Sequence, residues 1–270
     1  MAGISKNGER NSAEGLPVWP LTTGLEWSDL VLDAATSAQV DDIVRWVRHG
    51  QTLLRDWGLA RRLKPGFRCL FAGAPGTGKS LAAALIGKVT GRPVYRVALA
   101  SLLSKSIGEM DKDLSALFEH DDWILFFDEA EALFGKRTGV TDSHDRAANQ
   151  QTAYLLQRLE DFAGVAILAS NLQSHLDETF ARRFQAAIVF RLPDAEARLR
   201  LWQNAFAGMK LDGSIDFKQL AERHQIGGGE IAEVLRHACL RAVARNSAAV
   251  GADDIAAAAA RVARHRMAET

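Results

Sequence analysis

Two short runs hold residues able to do chemistry. The first reads GAPGTGKS, and Gly73, Ala74, Pro75, Gly76, Thr77, Gly78, Lys79 and Ser80 fill every position of the G-x-x-x-x-G-K-[ST] pattern. Polyphosphate concentrates negative charge. Small residues let successive backbone N–H groups turn inward as an anion nest, and a following helix adds its positive end. Lys79 offers a point charge to the terminal phosphates. Ser80 offers a hydroxyl to Mg²⁺, which prefers oxygen donors. The second run, WILFFDE, ends an apolar stretch in two adjacent carboxylates, Asp128 and Glu129. Carboxylates beside a buried strand are costly unless they have work to do. Asp128 is placed to hold Mg²⁺, and Glu129 to polarise an attacking water. Phosphoryl transfer needs mainly positioning and charge neutralisation, so these two with Lys79 approach a minimal site.

Such a site needs strands that end beside one another. Phe67–Ala72 is a short apolar run leading into the glycine-rich loop, and Ser80–Val89 reads as a helix stopping at Gly91. Val94–Leu99, Trp123–Phe127, Val165–Ser170 and Ala186–Phe190 read as strands; Ser37–Trp57, Leu114–Glu119 and Gln150–Phe162 read as helices. This alternation predicts the α/β class, a three-layer parallel sheet covered on both faces, with ligands at the carboxyl ends of the strands. After Pro193 four helices follow with no strand: Ala195–Phe206, Asp216–His224, Glu230–Asn246 and the Ala-rich Asp253–Arg266. The expected division is a flexible arm over 1–24, a nucleotide-binding domain over 25–192 and an all-α lid over 193–270. In the arm, Leu16, Val18 and Trp19 either dock on a partner or belong to an arm that packs on its own domain or is disordered.

Composition narrows the class. The 270 residues are 47% hydrophobic and 24% charged, as in ordinary globular chains. Lys+Arg and Asp+Glu both number 33, which counts against a protein that coats nucleic acid or an acidic membrane. Two cysteines, Cys69 and Cys239, form neither a disulfide framework nor a metal-binding spacing, as expected in a reducing cytoplasm. No apolar run suits a membrane span, and no apolar signal core opens the chain.

From about Leu25 to Arg266 the chain resembles the AAA+ ATPases. Ile167–Asn171 (ILASN) is similar to the family's sensor 1 strand, which implies that Asn171 watches the terminal phosphate; an N-cap role is compatible with this. Leu176–Phe184 (LDETFARRF) resembles the second region of homology. There Arg182 and Arg183 would reach a neighbouring protomer's ATP and stabilise charge on the transferring phosphoryl group. Paired with local carboxylates, they would be ordinary surface arginines. Gly227–Ile231 (GGGEI) stands where many branches carry a sensor 2 arginine. Its small residues resemble the spastin-, katanin- and FtsH-type branch, or else serve a tight loop. The resemblance implies a Mg²⁺-dependent, ATP-hydrolysing hexamer, since head-to-tail contacts close into rings.

Ser104–Glu109 (SKSIGE) matches the pore loop 1 region, with Ser106 where protein-threading members carry an aromatic. A serine cannot grip an extended chain as an aromatic does, so threading is not expected to be strong. Lys105 either meets an acidic substrate or stays solvated. Gly135–Asp145 suits a second pore-facing loop, and its Asp142, His144 and Asp145 lack a metal-ligand spacing. The wording FFDEAEALFGKRT, DSHDRAANQQTAYLLQRLEDF, ILASN is similar to AAA+ proteins associated with phage-tail-like contractile injection systems. Those often carry long N-terminal regions, so a recruiting domain is expected to be missing or replaced by the arm. The leading expectation is a ring that remodels or assembles a protein complex. A nucleic-acid-directed motor or loader needs a basic stripe. A nucleotide-gated scaffold would not need the acidic pair, nor a small-molecule kinase the tandem arginines.

Overall fold

A computed structural model describes residues 15–134, 143–171, 182–213 and 215–268. The chain forms two compact units. One comprises Met1–Gly24, Ala38–Ala72 and Ser80–Val189; the other comprises Leu25–Ser37, Gly73–Lys79 and Phe190–Thr270.

The first unit is built on a six-stranded sheet of β1 (Val18–Pro20), β2 (Phe67–Ala72), β3 (Val94–Val97), β4 (Ile124–Phe127), β5 (Val165–Ser170) and β6 (Ala186–Val189). Their order across the sheet is β1-β3-β4-β5-β2-β6, and all neighbours are parallel except β1 and β3. Every residue of β4 and β5 is buried. This is the mark of a parallel sheet covered on both faces, and it explains why these strands read as unbroken apolar runs. Leu125, Phe127, Ala166 and Leu168 share a core with Leu99 and Leu102 of α3 (Leu99–Leu103), Met110, Leu114 and Leu117 of α4 (Ile107–Phe118), and Leu155 and Leu159 of α5 (Ser143–Asp161). Helix α1 (Ala34–Arg55) brings Trp46 to Phe67, ring centroids 5.6 Å apart. Helix α2 (Lys79–Thr90) buries Ala82–Ile86. The α/β parallel-sheet architecture is thus the one predicted.

The segment expected to be a flexible lead-in differs at its end. Val18–Pro20 adds an antiparallel edge to β3, with Ala98 N–H donating to Pro17 O at 3.0 Å and Leu21 N–H to Val94 O at 2.8 Å. Val18 is buried and Leu16 packs on the core, while Trp19 stands exposed. Three residues are too few to show alternation, and an edge tolerates Pro20.

The second unit contains α6 (Ala195–Ala205), α7 (Phe217–Arg223), α8 (Gly228–Ala244) and α9 (Ala252–Ala268). Asp194 caps α6, accepting from Ala197 N–H at 2.8 Å. Trp202, Phe206, Ile231, Val234, Ala238, Ile255, Ala259 and Val262 form its core. Ala242 of α8 and Ala258 of α9 are buried in the same core. The sequence predicts no strand here, yet Leu211–Asp212 (β7) and Val250–Gly251 (β8) pair in parallel. A two-residue ladder has no periodicity to read.

Candidate nucleotide site

The phosphate loop leaves the carboxyl end of β2 and enters α2. Gly76 and Gly78 have φ of 77° and 103°, left-handed values that favour glycine. Such turns are what an anion nest of successive N–H groups requires. Thr77 Oγ1 donates to Ala74 O at 2.8 Å and pins the turn. Lys79 is buried, and its Nζ donates to Gly73 O at 2.6 Å and Ala74 O at 3.0 Å, so the ammonium lies across the mouth of its own loop. Gly73 is needed for a close approach, because a Cβ there would lie 2.2 Å from Phe190 O. Gly227–Gly229, at the start of α8, meet this loop backbone to backbone. Gly229 N–H donates to Gly76 O at 3.2 Å, and a Cβ on Gly227 would lie 2.8 Å from that oxygen. Glu230 accepts from Gly227 N–H at 2.8 Å and fixes the helix start. Gly227 and Gly229 therefore let the backbone of α8 reach the phosphate loop.

In the first unit, the parallel strands deliver the other residues to one edge. Ala72 pairs with Ser170 in the β2–β5 register, and Phe127 with Leu168 in β4–β5. Ser80 follows β2 through the loop, Asp128 and Glu129 follow β4, and Asn171 follows β5. Asp128 is half-buried; its Oδ1 accepts from Glu129 N–H at 3.1 Å, and its Oδ2 lies 3.5 Å from Arg96 Nη2. Glu129 is exposed, with φ of 56°. A non-glycine residue in this region stores about 1–3 kcal/mol and is typical of working sites. A 3-10 turn, Ala130–Phe134, follows, and Asn171 is held by its Glu131: Oε2 accepts from the Asn171 N–H at 3.3 Å and Oε1 from Nδ2 at 3.2 Å. The oxygen donors Ser80 and Asp128 suit Mg²⁺.

The tandem arginines lie at the opposite edge. Arg182 and Arg183 precede β6, and Gln185 N–H donates to Arg68 O near the amino end of β2. Strand β2 alone rises ~17 Å between the two edges. Arg183 pairs with Glu160 at 2.9 Å, and Arg182 is exposed. Lys105 pairs with Asp113 while its side chain stays partly exposed. Ser106 caps α4: its Oγ accepts from Glu109 N–H at 3.4 Å and its own N–H donates to Glu109 Oε2 at 3.1 Å. Residues 135–142 and Leu176–Ala181, and the side chains of His144 and Asp145, lie outside the described residues. Among the described residues there is no cluster of three or more potential metal ligands, and no helix is long and apolar enough to cross a membrane.

A glycine-rich phosphate loop between strand and helix, and a strand that ends in Asp-Glu, are the elements of a P-loop nucleotide-binding fold. Comparison with known proteins specifies it further. Residues 69–192 match the model of the ATPase family associated with various cellular activities (AAA). The chain is 30% identical over 237 residues to an A-like 2 form of the katanin p60 ATPase-containing subunit from Xenopus tropicalis, a match covering 81% of this chain and 42% of the relative. It is 29% identical over 187 residues to the meiotic spindle formation protein mei-1 of Caenorhabditis elegans, covering 65% and 39%. The chain thus spans about two fifths of these relatives' length. The sequence pattern missed Glu131, Arg96 and the approach of Gly227 and Gly229. The third acid in DEAE was the only signal for Glu131, and nothing in sequence tied it to a residue 40 positions on.

Proposed function

We propose that the chain is one protomer of a ring, a hexamer by family resemblance, in which ATP is hydrolysed to ADP and phosphate at a seam between copies. The observation that carries this reading is the separation of Arg182 and Arg183 from the chain's own acidic pair across the sheet. Arginines on that edge serve hydrolysis best in a neighbour's site. Arg183 would have to leave Glu160 to do so.

In this reading the loop N–H groups and Lys79 bind the β- and γ-phosphates, and Ser80 and Asp128 hold Mg²⁺. The ion, when bound, neutralises phosphate charge. Glu129 orients a water and accepts its proton as the oxygen attacks the γ-phosphorus and the bond to ADP breaks. Asn171 contacts the γ-phosphate. The client is a protein complex that the ring remodels or assembles. The capping role of Ser106 favours this over processive threading. The katanin- and mei-1-like relatives support the katanin/spastin branch; the likeness around Asp128–Asn171 suggests a contractile injection system as client. A cytoplasmic setting fits two free thiols.

Mixing of variant protomers tests the proposal. Glu129→Gln should still bind ATP while phosphate release falls about 10²–10⁴-fold, and Arg182→Ala should be comparably slow. Mixed, the two should recover activity, because the intact arginine of one completes the intact glutamate site of the other. Undiminished release from Glu129→Gln, or no recovery on mixing, overturns the reading.

A further inference from the structure

The geometry points to Glu131 as a positioning residue for ATP hydrolysis, one that acts through Asn171; this deepens the proposed role of the site and rests on it. Glu131 accepts from both the backbone N–H and the side-chain amide of Asn171, at 3.3 and 3.2 Å. An ionised carboxylate accepts only, so the amide must turn Nδ2, never Oδ1, toward it. The clamp therefore selects one of the two amide orientations. One Nδ2 hydrogen goes to Glu131, and the other is the one that donates to a γ-phosphate oxygen. A carboxylate acceptor also makes this the charge-assisted and stronger kind of hydrogen bond.

Glu131 stands two residues beyond Glu129 in the same turn, which Ala132 N–H closes by donating to Glu129 O at 3.2 Å. Glu129 begins that turn in the left-handed region, a conformation that persists only when its surroundings over-determine it. The clamp supplies such a constraint, because it ties the turn to the end of β5. The residue that contacts the γ-phosphate and the residue that takes the proton from water are thereby joined through a single carboxylate. A shift of Asn171 on phosphate release would move the turn that carries Glu129.

A double-mutant cycle tests this, read by steady-state phosphate release and by titration with a fluorescent ATP analogue. Glu131→Ala should lower kcat about 10- to 100-fold, the usual effect of a small misplacement at a reacting centre, with KM and analogue Kd changed less than about threefold. Glu131→Gln should be intermediate, because its carbonyl oxygen can still accept from Nδ2 while its amide cannot accept from the backbone N–H. In an Asn171→Ala background, Glu131→Ala should add little further loss, as expected of residues acting as one unit. Full additivity in the cycle, an unchanged kcat in Glu131→Ala, or weakened analogue binding equal to the rate loss would overturn the assignment. Failure of the wider reading would show differently, as hydrolysis that survives Glu129→Gln.

Discussion

The three glycines at the start of α8 allow a prediction with its own control. Each is replaced singly by alanine. At Gly228 a Cβ would meet Leu201 Cδ2 at 3.5 Å, an ordinary contact, and alanine gains up to about 1 kcal/mol of helix propensity over glycine. At Gly229 the same atom would lie 2.9 Å from Gly76 Cα. Relief requires a movement of about half an ångström in backbone, which has no rotamer to turn, and overpacking of this kind costs about 1–3 kcal/mol. The cheapest movement displaces Gly76, whose φ of 77° already confines it to a narrow conformation. That distorts the phosphate nest. A loss of about 1.4 kcal/mol there raises Kd tenfold. Titration with a fluorescent ATP analogue and thermal unfolding should separate the two variants. Gly228→Ala should keep its Kd and melt no lower than wild type, whereas Gly229→Ala should bind about tenfold more weakly and gain no stability. Equal Kd values for both variants would refute the argument that backbone contact at Gly76 shapes the nucleotide site.

Further outcomes follow from the same geometry. Asp254 is buried, and the hydrogen bond from Arg245 (2.7 Å), then that from Gly251 N–H, hold its carboxyl below the ordinary value of 3.8. Its folded pKa is depressed, so its contribution is complete above the unfolded value and fades as pH falls through the folded one. Asp254→Asn should therefore lower the thermal midpoint most near neutral pH, with the gap to wild type closing below about pH 4; a constant gap would refute the linkage. Burial pushes the Cys69 thiol far above its usual range, and only the thiolate reacts. A thiol reagent at pH 8 should label half-buried Cys239 in the native protein and Cys69 only after unfolding. Native labelling that survives Cys239→Ser would contradict this.

Much of the site was legible because its residues are consecutive. Gly73–Ser80 and Asp128–Glu129 each follow an apolar strand directly, so pattern and context lie within one stretch of chain. The parallel sheet was legible for a related reason: strands buried on both faces must be apolar throughout. What escaped was short or distant. β1 and the β7–β8 ladder have too few residues for periodicity. The pairings Glu131–Asn171, Arg96–Asp128 and Arg183–Glu160 join residues far apart in sequence.

The order of residue types along the chain was enough to determine the chemistry: an anion nest, a cation for phosphate, oxygen donors for a metal, and an acid beside a strand end. The tertiary structure alone decided which of these groups are neighbours. It put Arg182 and Arg183 on the edge away from Asp128, gave Asn171 its clamp in Glu131, and set the glycines of α8 against Gly76. The physical reason is that local spacing constrains only the few residues one turn or strand can reach. Strand order and register, set by burial over the whole unit, choose the partners beyond that range.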